Sequence, residues 1–104
     1  MIKLKDLAPI HRLNEAKYEI YHRSATDASQ EAKEYAEMEG YEVNEDDWNS
    51  QVAMGGKYGR LRPSDGKTHK FSVRLTKSGK EVREQLHFQI HGMNGRYELN
   101  AYIQ

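Results

Sequence analysis

The sequence predicts an α+β domain: two N-terminal helices packed on one face of a three- to four-stranded antiparallel sheet that ends in a C-terminal β-meander. Two observations lead to this fold class. Residues 68–104 alternate apolar and polar side chains in three successive runs, whereas apolar residues upstream recur at helical spacing. With 104 residues the chain is long enough for one domain, residues 1–104, and too short for two.

The alternation in residues 68–104 predicts three strands. Their apolar positions are Phe71, Val73 and Leu75, then Leu86, Phe88 and Ile90, then Leu99, Ala101 and Ile103. Asn94-Gly95 between the second and third runs predicts a type I′ hairpin, which requires positive φ at both positions. The hairpin sets a register with apolar opposite apolar: Ile90 with Leu99, Phe88 with Ala101 and Leu86 with Ile103. On the other face the same register pairs His91 with Glu98, Gln89 with Asn100 and His87 with Tyr102.

A second turn, at Ser78-Gly79, joins the first run to the second. The register that follows from this turn pairs Phe71 with Leu86, Val73 with Glu84 and Leu75 with Val82. It places the carboxylate of Glu84 on the apolar face, where burial is costly. We therefore expect Glu84 to lie at the end of the sheet, where it can reach water.

Helical spacing marks two segments before the sheet. Residues 9–23 carry apolar side chains on one helical face, namely Ile10, Leu13, Ala16 and Ile20. Ser24 followed by Asp27 resembles a capping box and predicts a second helix over residues 24–39, ended by Gly40. The inner stripe of that helix is rich in small residues that permit close packing: Ala25, Ala28, Ala32, Tyr35 and Ala36.

The middle of the chain predicts short elements and one long loop. Residues 41–43 suit a short edge strand, and Asn44 suits the N-cap of a brief helix whose apolar contacts are Trp48 and Val52. Residues 55–67 then form a loop rich in glycine and basic residues. Loops of this length inside a compact domain are uncommon and are often functional.

The charge of the chain is balanced in total and segregated along the sequence. There are 16 basic and 16 acidic residues, but residues 31–50 hold eight acids and one base, whereas residues 51–80 hold eight bases and one acid. No overall attraction to a polyanion is predicted, although local attraction remains. The absence of cysteine excludes disulfides, and the start of the chain has no continuous apolar run. We therefore expect a soluble, cytoplasmic protein that does not associate with membranes.

The motifs of common enzymes and metal sites are incomplete. His87 and His91 share a strand face but lie about 13 Å apart, too far to bind one zinc ion. Gly66-Lys67-Thr68 imitates a phosphate-binding loop, but Leu61 stands where that loop needs glycine. Residues 44–47 imitate a calcium loop without its sixth-position glycine. We therefore expect a protein that is not an enzyme and that uses no cofactor or metal.

The candidate contact surface combines the basic loop with the polar face of the sheet. Its residues are Lys57, Tyr58, Arg60, Arg62, Lys67, Lys70, Arg74, His87, Gln89, Asn100 and Tyr102. The cations are suited to neutralising the acidic segment, in the same chain or in a neighbouring one. They are also suited to tracking phosphates, with Tyr58 stacking on one base. We expect a non-enzymatic interaction module that contacts another protein or a second copy of itself. The alternative is a nucleic-acid-binding domain that uses residues 57–74.

Five blocks of the sequence resemble small proteins and terminal domains of marine tailed phages, which are described as hypothetical or virion structural proteins. The blocks comprise residues 13–22, 40–43 with 46–48, 66–68, 86–89 and 97–103. This resemblance implies a phage origin, a binding or assembly role, and a location in the host cytoplasm or the virion. It implies no catalytic, cofactor or metal residue.

Overall fold

The computed structural model describes residues 17–104, which form an α+β fold around a five-stranded antiparallel sheet. The elements are β1 (Tyr21–His22), α1 (Ala25–Met38), β2 (Glu42–Val43), α2 (Glu45–Trp48), β3 (Thr68–Lys77), β4 (Lys80–Met93) and β5 (Arg96–Ile103). The strands follow the order β1-β5-β4-β3-β2, so a three-stranded meander is flanked by two short edge strands. A π-helical turn over Asn49–Ala53 and a 3₁₀ turn over Gly56–Tyr58 follow α2.

The β4–β5 hairpin has the predicted register. Asn94 and Gly95 form the turn with φ of 32° and 93°, as a turn with two left-handed positions requires. The pairs on the inner face are Ile90 with Leu99, Phe88 with Ala101 and Leu86 with Ile103. The pairs on the outer face are His91 with Glu98, Gln89 with Asn100 and His87 with Tyr102. Turn chemistry and apolar alternation therefore determine this half of the sheet.

The predicted register of β3 and β4 is wrong beyond the turn. Pairing begins at Lys77 and Lys80 as expected, but the register shifts between Arg74 and Thr76. Glu84 lies in this irregularity and is exposed. The shifted pairs are Phe71 with Phe88 and Val73 with Leu86. A bulge of this kind removes a carboxylate from the core face and restores apolar pairing, which explains why the uninterrupted register is not adopted.

The first predicted helix is wrong in the part that the structure describes, residues 17–23; residues 9–16 lie outside the described range. Tyr21 and His22 form β1, which pairs with β5, so the sheet has five strands where three or four were expected. The Leu99 N–H donates to the Ile20 carbonyl at 2.7 Å. Pairing with the edge of β5 satisfies backbone groups that a helix here would leave without a partner.

Helix α1 agrees with its prediction. The Ser24 hydroxyl accepts from the Asp27 N–H at 3.0 Å, and Gly40 has a φ of 95°. The N–H groups of Gly40 and Tyr41 donate to the carbonyls of Glu37 and Ala36, which closes the helix in a Schellman motif. The predicted alanine stripe is buried against the sheet: Ala25, Ala28, Ala32 and Ala36.

Helix α2 and the π-helical turn close the remainder of the core. The Asn44 side chain accepts from the Asp47 N–H at 2.9 Å, which confirms the predicted cap. Trp48 and Val52 are buried, and the Trp48 ring stacks on Phe88 with centroids 5.9 Å apart. The core therefore lies between the inner face of the sheet and these two helical segments.

Burial of the sheet is one-sided. Leu75, Leu86, Ile90 and Leu99 on the inner face are fully buried, and each contributes about 1.5–3 kcal/mol to stability. The side chains between them point to the outer face, which no other element of residues 17–104 covers. None of the helices in this range is long and apolar enough to cross a membrane.

The hydroxyls of two tyrosines accept hydrogen bonds from backbone N–H groups on the two outer strands of the meander. The Tyr18 hydroxyl accepts from the Ala101 N–H of β5 at 2.9 Å, and the Tyr58 hydroxyl accepts from the Lys70 N–H of β3 at 2.9 Å. The Asp47 carboxylate accepts from the Arg74 N–H, also on β3. These contacts occupy positions where another strand could otherwise pair.

Replacing Tyr18 with phenylalanine removes the acceptor for the buried Ala101 N–H. We expect the free energy of unfolding to fall by about 1–3 kcal/mol, because the N–H is then unsatisfied. Trp48 is the one tryptophan of the chain, so its fluorescence during urea unfolding provides the measurement. The control is Tyr102→Phe, because Tyr102 is half exposed. Equal stability of the two variants would show that the Tyr18 hydroxyl has no such role.

Burial also predicts a loss of stability at alkaline pH. Desolvation raises the pKa of Tyr18, opposed by its backbone hydrogen bond with Ala101. Desolvation, followed by the charges of Glu39 and Tyr18, raises the pKa of Tyr35. Because the pKa of each hydroxyl is raised above the ordinary tyrosine value of 10.0, the contribution of the two tyrosines to stability is present below pH 10 and declines as the pH rises above it. Urea unfolding at several alkaline pH values should show a shallower decline for Tyr18→Phe than for the wild type.

Candidate binding surface

The outer face of the meander consists of three cross-strand rows, which we call the open face. Antiparallel pairing places opposite residues on the same side of the sheet, so each row crosses β3, β4 and β5. The rows are Ser72, His87 and Tyr102; Lys70, Gln89 and Asn100; and Thr68, His91 and Glu98, which Tyr21 of β1 extends. The open face therefore combines aromatic rings, amides and imidazoles.

Hydrogen bonds and stacking hold the two histidines of the open face. His87 Nδ1 is hydrogen-bonded to Ser72 Oγ at 2.8 Å, and His91 Nδ1 to Thr68 Oγ1 at 2.7 Å. The His87 ring also stacks on Tyr102, with centroids 5.1 Å apart and planes inclined by 24°. These contacts orient both imidazoles. Among residues 17–104, no three His, Asp or Glu side chains are arranged to hold a metal ion.

Two adjoining concavities lie on the open face and beside its β3 side. The larger has a volume of about 430 Å³, crosses the first two rows of the open face and reaches Tyr18 at its edge. The smaller, of about 210 Å³, lies beside β3 and is lined by Gln51, Lys57 and Tyr58. Lys70 and Ser72 line both concavities. The open face is therefore continuous with the groove beside the basic loop.

Seven of the predicted contact residues line these concavities: Lys57, Tyr58, Lys70, His87, Gln89, Asn100 and Tyr102. The other four do not line them. Arg60 donates from Nη2 to Ser64 Oγ within the loop, and Arg74 lies 3.6 Å from Asp47 and 3.9 Å from Glu81. Arg62 and Lys67 are exposed. The sequence thus identified a largely contiguous set, although its contact role stays a prediction.

The Tyr58 ring is engaged within its own chain. It stacks on His69 with centroids 3.9 Å apart and planes inclined by 9°. Lys57 Nζ lies 5.3 Å from the ring centroid, and His69 Nδ1 is hydrogen-bonded to the Leu61 carbonyl. The Tyr58 ring therefore anchors the loop to β3 with one of its faces, and the stacking of a base on Tyr58 stays a prediction.

Tyr21 is a surface residue that the sequence interpretation assigned to a helix. It is 52% exposed on the open face, and the Arg96 guanidinium lies 4.8 Å from its ring centroid. In the structure Tyr18, Ile20 and His22 are less exposed than their neighbours. The sequence offers one weak period-2 signal, since Tyr18 and Ile20 alternate with Glu19. That pattern competes with the apolar helical spacing of residues 9–23.

The basic loop is attached to the sheet through its backbone. The Gly92 N–H donates to the Lys67 carbonyl at 2.9 Å, and the Gly92 carbonyl accepts from the Gly66 N–H at 2.8 Å. A Cβ atom at position 92 would lie 2.5 Å from the Ser64 carbonyl oxygen. Glycine at this position therefore permits an approach that no other residue allows.

Charge segregation persists in three dimensions. Within residues 17–104, Arg74 is the single basic residue of the 51–80 segment that forms an ion pair with the acidic segment, through Asp47. On the exposed side of α1, Asp27, Glu34 and Glu37 form no ion pair with another residue of this range. An acidic helix surface and a basic loop surface thus remain largely unneutralised by the described chain.

Replacing Gly92 with alanine should loosen the loop. The added methyl group overlaps the Ser64 carbonyl, so we expect stability to fall by about 1–3 kcal/mol and trypsin to cleave faster in residues 57–67. The control is Gly79→Ala in the β3–β4 turn, whose methyl meets nothing within 4 Å and costs only the strain of a positive φ, about 1–2 kcal/mol. Unchanged cleavage of Gly92→Ala would contradict the proposed attachment.

Comparison with known proteins assigns no family to this arrangement. No protein-family model matches the chain, and no curated protein and no solved structure matches it.

Proposed function

We propose that this chain is a non-enzymatic interaction module that acts through protein–protein contacts, and that one of its partners is a second copy of itself. The observation that carries the proposal is the pair of oppositely charged surfaces left largely unneutralised within residues 17–104. Acidic and basic residues that form few ion pairs within one molecule can form them with a neighbouring molecule. The total charge of each copy is zero, so no net repulsion opposes this association.

The two surfaces lie on different elements. The alanine stripe of α1 faces the sheet, so Asp27, Glu34 and Glu37 face solvent on the other side of the helix. The cations lie on the loop before β3, which is fastened to Gly92. A contact between unlike surfaces is heterologous, and such contacts produce rings when they close and open chains when they do not. The proposed association is therefore head-to-tail.

The strength of this contact is limited by solvent. An exposed ion pair contributes about 0–1 kcal/mol, and ionic strength near 0.1 M screens charges beyond about 10 Å. Several pairs acting together are needed for measurable association. We therefore expect an assembly that grows with protein concentration and dissociates as salt is added.

The sequence resemblance extends the proposal to a phage accessory or structural protein, in the host cytoplasm or in the virion. This extension is supported by the five sequence blocks. Mass spectrometry of purified particles from a phage that encodes the chain tests the virion part, and absence from the particles would contradict it.

A charge-swap experiment tests the head-to-tail contact. Arg62→Glu/Lys67→Glu reverses the loop, and Glu34→Lys/Glu37→Lys reverses the helix. Each double variant should be monomeric, because one of its two surfaces has lost its complement. An equimolar mixture should associate again, because the reversed loop of one variant complements the reversed helix of the other. Sedimentation velocity at about 20 mM and about 500 mM salt provides the measurement.

The matched control is Lys80→Glu/Arg83→Glu, which reverses two exposed cations near the β3–β4 turn, at the opposite end of β3 from the loop. It should associate like the wild type. A wild-type protein that sediments as a monomer at both salt concentrations would contradict the proposal. So would a mixture of the two reversed variants that remains monomeric.

Nucleic-acid binding is the second candidate function, with residues 57–74 supplying the cations. The observation that favours it is the position of Lys57 and Lys70, which line concavities continuous with the aromatic open face. Binding of this kind is compatible with zero net charge, because the cations and the acids lie on different surfaces.

A further inference from the structure

We infer that the open face binds single-stranded nucleic acid, with bases stacked on Tyr102 and Tyr21 and with Lys57, Lys70 and Arg96 beside the backbone phosphates. This inference rests on the second candidate function, nucleic-acid binding, and adds the class of ligand and the surface that binds it. It uses the outer face of the sheet, whereas the head-to-tail contact uses α1 and residues 60–67.

The two tyrosines are exposed and already supported. Tyr102 is 51% exposed, and His87 stacks against its ring. Tyr21 is 52% exposed, and the Arg96 guanidinium lies over its ring at 4.8 Å. A ring that its neighbours hold in place loses little conformational entropy on binding. Stacking on such a ring accepts every base, because every base has a π-face.

The register sets the distance between the two tyrosines. Tyr21 pairs with Glu98, and Tyr102 lies four residues farther along β5, so the two tyrosines are separated by about 13 Å along the strands and by about 5 Å across them. The row that contains Gln89 and Asn100 lies between them. Amide side chains donate and accept hydrogen bonds, so this row can meet the edges of bases stacked on either side.

Cations flank this strip on both sides. Lys57 and Lys70 are exposed beside β3, and neither forms an ion pair with an acid of residues 17–104. Arg96 lies beside β1 on the opposite side. Glu98 is the single acidic residue of the three rows within the described chain. The strip therefore attracts a phosphate backbone despite the neutral total charge.

The geometry favours a single strand over a duplex. The face is a shallow concavity, and among residues 17–104 no helix projects from it to enter a major groove. Exposed aromatic rings reach bases only when the bases are unstacked.

Fluorescence anisotropy of labelled oligonucleotides tests the inference with the full chain. The probes are single-stranded oligo(dT) and oligo(rU) and a mixed-sequence DNA duplex of equal length, each titrated at low and at physiological salt. We expect micromolar binding of single strands, weaker binding of the duplex by at least about tenfold, and affinity that falls with salt.

Variants separate stacking from charge. Tyr102→Ala should weaken single-strand binding by about five- to 150-fold, whereas Tyr102→Phe keeps the ring and should retain affinity. Lys70→Gln should weaken binding and reduce the salt slope by about one unit. Lys80→Gln, at the start of β4 beyond the β3–β4 turn, should change neither. Circular dichroism confirms that each variant is folded.

The outcomes are decisive in both directions. No binding of either single strand at low salt would overturn the inference and leave protein–protein contact as the function of the chain. Tyr102→Ala with wild-type affinity, or equal affinity for the duplex, would also overturn it. Single-strand binding by a protein that is monomeric at every salt concentration would support this inference and contradict self-association.

Discussion

The alternation of apolar and polar residues along β4 is the constraint on which the rest of the structure depends. This central strand pairs with β3 on one side and β5 on the other. Its inward residues, Leu86, Phe88 and Ile90, need cover from α1 and α2, because their burial supplies much of the stability. Its outward residues, among them His87 and Gln89, cannot be buried without polar partners. A slip of one residue would exchange the two sets.

The sheet is open and therefore has edges, which the described chain covers with few residues. Strands β1 and β2 pair with these edges over two residues each. The hydroxyls of Tyr18 and Tyr58 cover one further position each, because each accepts a hydrogen bond from a backbone N–H group. A tyrosine suits this position because its ring packs into the core while its hydroxyl reaches the strand. These contacts discourage a further strand from pairing at the edges. The open face, in contrast, is covered by no element of residues 17–104.

The sequence predicted the contacts that local chemistry controls. The β4–β5 register follows from a two-residue turn next to alternating strands, and the limits of α1 follow from Ser24 and Gly40. The β3–β4 register was missed because Ser78-Gly79 controls pairing only near the turn, and a bulge farther along shifts it. The conflict at Glu84 was the visible sign of that bulge, since a carboxylate opposite a buried valine requires another register.

Contacts between residues far apart in the sequence account for the other features that the sequence did not predict. Tyr21 of β1 pairs with Glu98, which is distant in the sequence, so the short period-2 pattern near Tyr21 was outweighed by the apolar helical spacing of residues 9–23. The stacking of Tyr58 on His69 depends on how the loop folds back over β3, which spacing alone does not determine. The candidate surface was nevertheless located by its polar residues on β4 and β5. These needed only the correct hairpin register to be assigned to one face.

The neutral total charge conceals the electrostatics that govern both proposed contacts. Interactions between exposed charges fade over about 8 Å at physiological salt, so a ligand responds to the surface it approaches and not to the sum over the chain. Helix α1 packs on the inner face of the sheet with its acids toward solvent, whereas Lys70 lies on the open face, and Arg74 with Asp47 is the single described pair that joins the two segments. No acid of residues 17–104 forms an ion pair with Lys57 or Lys70, so within the described chain both can act on a ligand at the open face. The same separation permits head-to-tail contact, because an arrangement that does not neutralise itself internally can do so between molecules.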